Sequence, residues 1–444
     1  MRVGSGTGAS PRVLYLSFYF PPSRASGVFR ARATANHLAA AGWDVTVHTA
    51  PRAFFEHYLK AADPALEATV DPRVRIKRLP LTMYPFEQDV RRFSAMRRNF
   101  PKVTQDLWEI LQNRTFAEPY VGWVPRIVRS ALAQHARRRF DLVIATGNPF
   151  VSFAAARLLG RLLHVPYVVD YRDAWTFNQF SGELRFPEGD RMLRWEEKVL
   201  RDAAEIVFVN DGMRQWHRDR YPFAADRMTV VPNGWEPELL GQPAFRPPDE
   251  GRPLRFGYLG TITEWLPLET LFAGWRLART HPAMAGAQLD LHGHLGFFPD
   301  NAPPIMARIR PEEQYGVVAR GGFGKTEVAG LYADSDVLVF CVPGAKYVTS
   351  GKVFEYMATG KPIASVHEPD IAAAEVLDGY PLWFHEPRFD ADSVAQTFIA
   401  AAEAARKADR PSFEAALAHA ARFTREATLE PFERRLRALA EAKR

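Results

Sequence analysis

Short apolar runs rich in β-branched residues alternate with helical segments along this 444-residue chain, and the alternation restarts after a loop rich in Pro and Gly. Such alternation is typical of parallel βαβ units. The loop is GQPAFRPPDEGRP (241–253), so the sequence predicts an α/β protein with two separate parallel sheets. The runs that predict strands are RVLYLSFYF (12–20), WDVTVHTA (43–50), VRIKRLP (74–80), DLVIATG (141–147), YVVDYRD (167–173), EIVFVN (205–210), MTVVPNG (228–234), LRFGYLG (254–260), AQLDLHG (287–293), YGVVARGG (315–322), VLVFCV (337–342), KPIASV (361–366) and PLWF (381–384).

These patterns divide the chain into three parts. We expect an N-terminal domain over residues 1–240, a C-terminal domain over 241–425 and a final helix over 426–444 that packs back on the N-terminal domain. Two domains agree with the length, which exceeds that of one ordinary hydrophobic core. Residues 81–140 break the alternation because they contain no clear strand, and they predict a helical insertion on the N-terminal domain.

Composition places the chain among globular proteins. Hydrophobic residues make up 47% of it and charged residues 24%, and no apolar run approaches the ~20 residues of a membrane span. The opening MRVGSGTGAS lacks the apolar stretch of a secretory signal. Cys341 is the single cysteine, which excludes intramolecular disulfides and cysteine-ligated zinc. We therefore expect a cytoplasmic protein.

Positive charge is concentrated in the first third of the chain. The net charge is +6, but residues 73–139 alone hold 15 Lys and Arg against 5 Asp and Glu. Aromatic residues are interleaved with these charges, namely Phe93, Phe100, Trp108, Tyr120 and Trp123. The combination indicates a surface for phosphates, anionic lipid or nucleic acid. A solvated helical face in an arginine-rich protein explains the same pattern equally well.

Three motifs resemble ligand sites without meeting their requirements. ARGGFGKT (319–326) has Ala319 where a phosphate-binding loop needs its first glycine. GSGTG (4–8) precedes the first strand, whereas a dinucleotide fingerprint follows it. His292 and His294 lie close together but lack a nearby third ligand. We therefore expect no site of these three kinds.

The segment SGKVFEYMATGKPI (350–363) predicts a helix whose N-terminus can bind an anion. Ligands of open α/β sheets bind beyond the carboxyl ends of the strands, where a helix N-terminus offers free N–H groups. Gly351 allows close approach of the backbone, and Lys352 adds a mobile charge. Glu355, one turn later, can accept hydrogen bonds from the two hydroxyls of a ribose. The structural alternative to a nucleotide-diphosphate site is that Glu355 completes a capping box with Ser350 or interacts favourably with the helix dipole.

Several motifs together resemble glycosyltransferase family 4, whose GT-B fold has two facing Rossmann-like domains with a donor cleft between them. YFPPSRASGVFRA (19–31) is similar to that family's glycine-containing loop, and ATGNPFVSF with VPYVVDYRDAWT resembles a bacterial branch that makes polysaccharides and related glycosides. The resemblance covers residues 12 to about 440 except for 81–140. Its C-terminal motifs are VVPNGWEP (230–237), FGYLGTIT (256–263), LYADSDVLVF (331–340) and SGKVFEYMATGKPI.

The resemblance implies transfer of a sugar from a nucleotide-diphosphate sugar to a hydroxyl, with retention at the anomeric carbon and without a metal or cofactor. A uridine nucleotide is expected from its frequency in the family. Asp173 lies near the reacting centre, oriented by Arg172, while Lys352 stabilises the leaving diphosphate. Gly27 gives the sugar phosphate a close backbone approach. The implied donor-binding residues are Gly27, Gly260, Thr261, Gly322, Phe323, Lys346, Ser350, Gly351, Lys352 and Glu355.

The sequence departs from the family in two places. Tyr347 stands eight positions before Glu355, where members often have a second glutamate, which leaves the donor sugar open. The loop GTITEW (260–265) lacks the Arg and Lys that many members direct at the diphosphate. Either Lys346 and Lys352 bind the diphosphate, or activity is weaker than usual.

Two other functions stay open at this point, a GT-B sugar-nucleotide epimerase and a nucleotide-sugar-binding protein without catalysis. The long insertion favours a transferase, whose acceptor is a saccharide, a lipid-linked sugar or a natural product. With a lipid-linked acceptor, the arginines would hold the protein on the anionic inner membrane face, and Phe93, Phe100, Trp108 and Trp123 would enter the interface. The irregular spacing of these aromatics predicts no clean amphipathic helix. We expect no nucleic-acid partner.

Overall fold

All thirteen predicted runs contain a strand, and every strand pair in the two sheets is parallel. The computed structural model describes residues 10–81, 86–87, 89–116, 118–296, 299–324 and 327–442. The strands are β1 (Arg12–Leu16), β2 (Asp44–Thr49), β3 (Arg75–Arg78), β4 (Leu142–Gly147), β5 (Tyr167–Tyr171), β6 (Glu205–Phe208), β7 (Met228–Val230), β8 (Arg255–Leu259), β9 (Gln288–His292), β10 (Val317–Gly321), β11 (Val337–Cys341), β12 (Ile363–Val366) and β13 (Trp383–Phe384).

Helices connect most of these strands, as parallel pairing requires. The α-helices are α1 (Gly27–Ala40), α2 (Pro64–Glu67), α3 (Ala95–Asn99), α4 (Pro101–Thr115), α5 (Val124–Arg137), α6 (Val151–Leu163), α7 (Arg191–Asp202), α8 (Asp211–Arg220), α9 (Pro237–Leu240), α10 (Leu268–Ala278), α11 (Ala302–Ile309), α12 (Val328–Asp334), α13 (Gly351–Ala358), α14 (Ala374–Leu377), α15 (Ala391–Arg406), α16 (Arg410–Ala421) and α17 (Arg425–Glu441).

The chain forms two compact units. Unit 1 comprises the residues up to Asn178, Gly182–Val231 and the chain from Leu429 onward, and unit 2 comprises Gln179–Ser181 and Pro232–Thr428. The strand order is β3-β2-β1-β4-β5-β6-β7 in unit 1 and β10-β9-β8-β11-β12-β13 in unit 2. In each sheet, the chain adds strands first in one direction and then in the other, and this direction reverses between β1 and β4 in unit 1 and between β8 and β11 in unit 2. Such reversals open crevices at the carboxyl ends of the strands, where ligands of this fold class bind.

A buried ion pair joins three parts of unit 1. Arg30 of α1 donates to both carboxylate oxygens of Asp170 in β5, at 2.7 to 3.1 Å, and its Nη1 donates to the carbonyl of Val231 at 2.9 Å. Nearby, the α17 residues Leu429 and Phe432 pack into the same core as Tyr15. The C-terminal helix from Leu429 is therefore part of unit 1.

The sheet of unit 2 has a hydrophobic core on each face. On one face, Trp275 of α10 meets Phe256 and Phe398 edge-to-face at ring distances of 5.1 and 5.2 Å. On the other face, the buried ring of Tyr356 in α13 packs against Phe340. Because α13 is held by this second core, its first turn has a defined position beyond the end of β11.

The basic segment of unit 1 contains α3, α4 and α5 in its described part. The prediction that Trp123 enters a membrane interface is wrong, because its ring is fully buried against Phe18 with a centroid distance of 5.1 Å. Phe100 is exposed, whereas Phe93 and Trp108 are half-buried. None of the helices in the described ranges combines the length and the apolar composition that a bilayer crossing requires. The motif GSGTG and the Lys-Thr end of ARGGFGKT lie outside the described residues.

Candidate functional site

The carboxyl edge of the unit 2 sheet gathers the predicted donor-binding residues of that unit. They follow three strands, and parallel strands place their carboxyl ends on one edge. After β8 come Gly260 and Thr261, after β10 come Gly322 and Phe323, and after β11 come Lys346, Ser350, Gly351, Lys352 and Glu355.

Lys352 extends from the first turn of α13 to the end of β8. A Cβ atom built on Gly260 would lie 1.6 Å from its Nζ, so the ammonium occupies the space that a side chain at position 260 would need. The same Nζ lies 4.9 Å from the centre of the Tyr258 ring, a cation–π distance. A lysine from a neighbouring helix thus supplies the positive charge that the loop GTITEW lacks.

The surroundings of Lys352 disfavour its charged form. Burial lowers the pKa of the Lys352 ammonium to about 8, although Cys341 and Glu355 act in the opposite direction. A buried cation with few charge partners gains more from an arriving anion than an exposed cation does. The geometry therefore offers a phosphate-sized anion a positive charge beside Gly260, whose own N–H donates to the carbonyl of His292 at 2.8 Å.

The N-terminus of α13 lies next to this lysine. Ser350 is the N-cap residue, and its Oγ accepts from the N–H of Lys352 at 3.4 Å. Gly351 is exposed, and no described atom lies within 4 Å of a Cβ built on it. The exposed Gly351 and the positive end of the helix dipole form an environment that suits an anion, whereas the N–H groups of Lys352 and Val353 donate to Ser350.

Glu355 lies one turn further along α13. Its Oε2 accepts a hydrogen bond of 2.6 Å from the hydroxyl of Tyr332 in α12. The alternative of a capping box between Ser350 and Glu355 is wrong, because Val353 occupies the third helical position that a capping box requires. The half-buried carboxylate is held in place by Tyr332.

The ends of β9 and β10 form another part of this edge. The His294 ring lies against Gly322, where a Cβ would be 2.3 Å from the ring Cε1. Phe323 is half-buried against the core that contains Tyr356. Lys346 is exposed, with its Nζ 5.8 Å from the centre of the Tyr347 ring. Across the described part of the chain, no three His, Cys, Asp or Glu side chains are grouped so that they could hold a metal ion.

In unit 1 a cation also lies against a glycine, at the edge of the sheet where its strands have their carboxyl ends. Arg172, which follows β5, donates from Nε to the carbonyl of Gly147 at 2.7 Å and from Nη2 to that of Asn148 at 2.6 Å. A Cβ on Gly27, the first residue of α1, would lie 0.8 Å from Nη1 of this arginine. The Asp173 carboxylate is 3.9 Å from Arg172 Nε and 40% exposed. The structure thus brings together the three predicted residues of this unit.

Sequence patterns did not single out Glu118 or Tyr19, which lie at the same end of unit 1. Glu118 accepts hydrogen bonds from the N–H groups of Phe150 and Val151, at 3.0 and 2.9 Å, where α6 begins. Burial raises the pKa of its carboxyl group to about 7, although these two hydrogen bonds lower it. The Tyr19 ring centre is 5.9 Å from the Arg172 guanidinium carbon. No local signal in the sequence around Glu118 indicates its contact with a helix so far along the chain.

Comparison with known proteins finds one matching family model and several structures of similar fold. Residues 28–234 match the family model described as glycosyl transferase 4-like domain. No curated protein matches the sequence. Among solved structures, the chain is similar to a glycosyltransferase from Rickettsia africae, with 12% identity, a TM-score of 0.67 and coverage of 97% of this chain and 98% of the other.

Two further structures show the same fold over nearly their full length. Sucrose-phosphate synthase from Thermosynechococcus elongatus has 18% identity and a TM-score of 0.64, with 97% of this chain and 100% of that chain covered. Anabaena HepE in complex with UDP and glucose has 14% identity and a TM-score of 0.61, with 96% and 100% covered. At these identities the similarity establishes the fold, which is GT-B.

Proposed function

This chain carries a glycosyl transferase 4-like domain over residues 28–234 and has a GT-B fold, and we propose that it moves a sugar from a nucleotide-diphosphate sugar to a hydroxyl of an acceptor. The observation that carries the proposal is the position of Lys352 Nζ over Gly260, next to the exposed first turn of α13. A diphosphate placed there would meet a lysine, the exposed backbone of Gly351 and the positive end of a helix dipole.

The chemistry of the transfer explains why these groups are needed. The bond between the anomeric carbon and the diphosphate oxygen breaks, and its electron pair stays on the diphosphate, while the acceptor hydroxyl oxygen bonds to the anomeric carbon and its proton passes to the diphosphate. Charge therefore grows on the leaving group in the transition state, and groups that bind it more tightly there accelerate the reaction. Lys352 and the first turn of α13 can supply this stabilisation without a metal ion.

Other predicted residues take the remaining parts of the donor. Glu355 would accept hydrogen bonds from the ribose hydroxyls, with Tyr332 holding its carboxylate in place. Phe323 and the glycine at 322 would lie along the base. We favour a UDP-sugar, because Anabaena HepE is described in complex with UDP, with UDP and glucose, and with UDP-glucose. Lys346 would add a second, mobile charge near the diphosphate.

In unit 1, Asp173 is the residue we place beside the reacting centre, and Arg172 positions it. Two hydrogen bonds to backbone carbonyls immobilise the arginine, and Gly27 leaves room for it. Reaction with retention at the anomeric carbon belongs to the same proposal. The acceptor is a hydroxyl of a saccharide, a lipid-linked sugar or a natural product, reached from the cytoplasm or at its membrane face.

Binding and hydrolysis assays test the donor first. We expect UDP to raise the thermal unfolding midpoint and UDP-sugars to be hydrolysed slowly without an acceptor, both in the presence of EDTA. Lys352→Ala should bind UDP but lose most of the hydrolysis. Selective stabilisation by GDP or dTDP would replace the uridine assignment, and no stabilisation by any nucleotide would overturn the proposal.

Donor incubated alone also separates a transferase from an epimerase, which is relevant because a putative UDP-N-acetylglucosamine 2-epimerase from Listeria monocytogenes shares the fold at a TM-score of 0.55. An epimerase would return an epimeric nucleotide sugar. A transferase would return free sugar and UDP, and would form a glycoside when acceptor saccharides are added. A binding protein would show neither product.

A further inference from the structure

Exposed apolar side chains are concentrated on one short stretch of unit 1. Six of the fifteen exposed large hydrophobic residues in the described chain lie between Val90 and Ile110. Three of them, Val103, Leu107 and Ile110, follow the i, i+4, i+7 spacing on α4 and form a continuous stripe on one helix face. Met96 and Phe100, from α3 and the junction before α4, extend the apolar surface. These five side chains, 49% to 60% exposed, are called the α3–α4 stripe below.

Basic residues lie at both ends of the α3–α4 stripe. Arg98 and Lys102 are exposed on either side of Phe100, and the exposed Arg114 lies eleven positions after Val103, which returns to the same helix face. Of the acidic residues of α4, Glu109 lies about 130° around the helix from the centre of the stripe, whereas Asp106 lies about 70° from it, next to Ile110. The apolar surface thus has exposed basic residues at both ends and one acidic residue, Asp106, beside it, which leaves a surplus of positive charge around it.

We propose that the α3–α4 stripe is a docking surface for a bilayer that contains anionic lipid. An interfacial helix places its apolar side chains at the boundary between headgroups and acyl chains, while its cations contact the lipid phosphates. Each near-surface Lys or Arg strengthens such binding by about fivefold. Phe116 at the end of α4 packs on Trp175 and Trp195 at ring distances of 5.6 and 5.7 Å, so that the helix is anchored to unit 1 while the stripe stays exposed.

Charge favours a bilayer over a second copy of the chain. A symmetric dimer through the α3–α4 stripe would bring the same basic residues of two copies close together, and like charges repel. An anionic membrane is complementary to them. The inference rests on the proposed function, to which it adds an acceptor class: a lipid-linked sugar presented at the membrane surface. Docking itself can nevertheless be measured without any turnover.

Two exposed leucines on α6 provide a matched control. Leu158 and Leu162 are also one helical turn apart and 40% and 48% exposed. Their neighbours Arg157 and Arg161 are both paired with Asp202, at 2.8 and 3.0 Å. The α6 pair therefore offers similar apolar exposure with neutralised charge. The double variant Leu107→Glu, Ile110→Glu can be compared directly with Leu158→Glu, Leu162→Glu.

Co-sedimentation with vesicles tests the proposal. We expect the wild-type protein to bind vesicles of phosphatidylcholine mixed with phosphatidylglycerol at low salt, and to bind weakly to phosphatidylcholine alone. The partition coefficient of the Leu107, Ile110 double variant onto these vesicles should be lower than that of the wild type by about tenfold or more. The Arg98→Gln, Lys102→Gln double variant should lose affinity and salt dependence. The α6 double variant should bind like the wild type.

Three results would overturn the proposal. The first is that the wild-type protein does not bind vesicles at low salt, and the second is that the α6 double variant loses as much vesicle binding as the Leu107, Ile110 double variant. The third is that sedimentation velocity shows a dimer of the wild type that the Leu107, Ile110 double variant no longer forms. Far-UV circular dichroism and the UDP-induced thermal shift should be unchanged in all variants, because every mutated side chain is exposed. If UDP did not raise the unfolding midpoint of the wild-type protein, the proposed function would be contradicted. If the wild type showed the UDP-induced shift but did not bind vesicles, only the docking surface would be contradicted.

Discussion

The Nζ atom of Lys352 lies 1.6 Å from the point where a Cβ on Gly260 would be, so the two residues cannot both carry a side chain into this space. Unit 1 has the equivalent arrangement, with Nη1 of Arg172 only 0.8 Å from a Cβ built on Gly27. In both units a cation reaches a glycine near the carboxyl end of the sheet. A glycine here therefore admits the cation, whereas the N–H of Gly260 is already used in a hydrogen bond of 2.8 Å to the carbonyl of His292.

Gly260→Ala should lower kcat for donor cleavage by about 100-fold, close to the effect of Lys352→Ala. The new methyl group displaces the ammonium, and Gly260 has a φ of +148°, which an alanine adopts only with strain. Steady-state kinetics of UDP-sugar hydrolysis checks this. The double variant should be no slower than the worse single variant, because both changes remove the same contact. Multiplicative losses would show that the two residues act independently.

Activity should fall at alkaline pH because of Lys352. Its pKa is lowered to about 8 by burial, so the free protein loses this charge as the pH rises through 8. The kcat/KM for the donor should then fall by about tenfold per pH unit above that value, since kcat/KM reports the ionisation of the free enzyme. Lys352→Arg stays charged and should retain a flat profile to higher pH, even with a lower maximum. A wild-type profile that stays flat above pH 8 would remove Lys352 from this role.

Glu355→Ala should raise the donor KM strongly and change kcat little. The variant loses charge-assisted hydrogen bonds to the ribose, each worth roughly 1.5–3 kcal/mol. Tyr332→Phe should raise KM less, because it removes only the hydroxyl that holds the carboxylate at 2.6 Å. Isothermal titration with UDP and with 2′-deoxy-UDP is the check. Equal weakening of both nucleotides in Glu355→Ala would mean that this residue does not contact the 2′ hydroxyl.

Asp170→Ala should destabilise unit 1 by about 3–5 kcal/mol, because it leaves the buried Arg30 guanidinium without its carboxylate. Thermal unfolding followed by circular dichroism measures the loss. Glu197→Ala is the control, since it breaks the exposed pair with Arg201 and should change the midpoint little. If the two variants had similar midpoints, the buried pair would not contribute to stability.

Glu118→Gln should destabilise the protein at pH 4, and this loss should be smaller at pH 8. Folding raises the pKa of this carboxyl group from 4.5 to about 7, so between these values the folded state binds the proton more tightly. The favourable contribution is complete below 4.5 and is lost as the pH rises through 7. Glutamine is neutral at every pH but can accept only one of the two N–H groups, so the stability of the variant relative to the wild type should improve by roughly 1–3 kcal/mol between pH 4 and pH 8. Unfolding midpoints at several pH values give the comparison, and a constant difference at all of them would contradict the assigned pKa.

Local patterns in the sequence were sufficient for the strands and for placing the candidate donor-binding residues of unit 2 at one edge of its sheet. Each buried parallel strand is a short apolar run, and the loops after β8, β10 and β11 could be assigned to one edge because parallel strands share their direction. The start of α13 was also readable, since Ser350 is a good N-cap and Gly351 follows it. Such features depend on neighbouring residues alone.

The side-chain partners were decided by the tertiary structure. Lys352 meets Gly260 and Glu355 meets Tyr332 only because β8 and β11 are adjacent in the sheet and α12 and α13 pack on one face. The same holds for the burial of Trp123 and for the exposed stripe on α4, where the aromatic spacing had predicted no amphipathic helix. Contacts between residues distant along the chain depend on strand order and packing, which no local periodicity encodes.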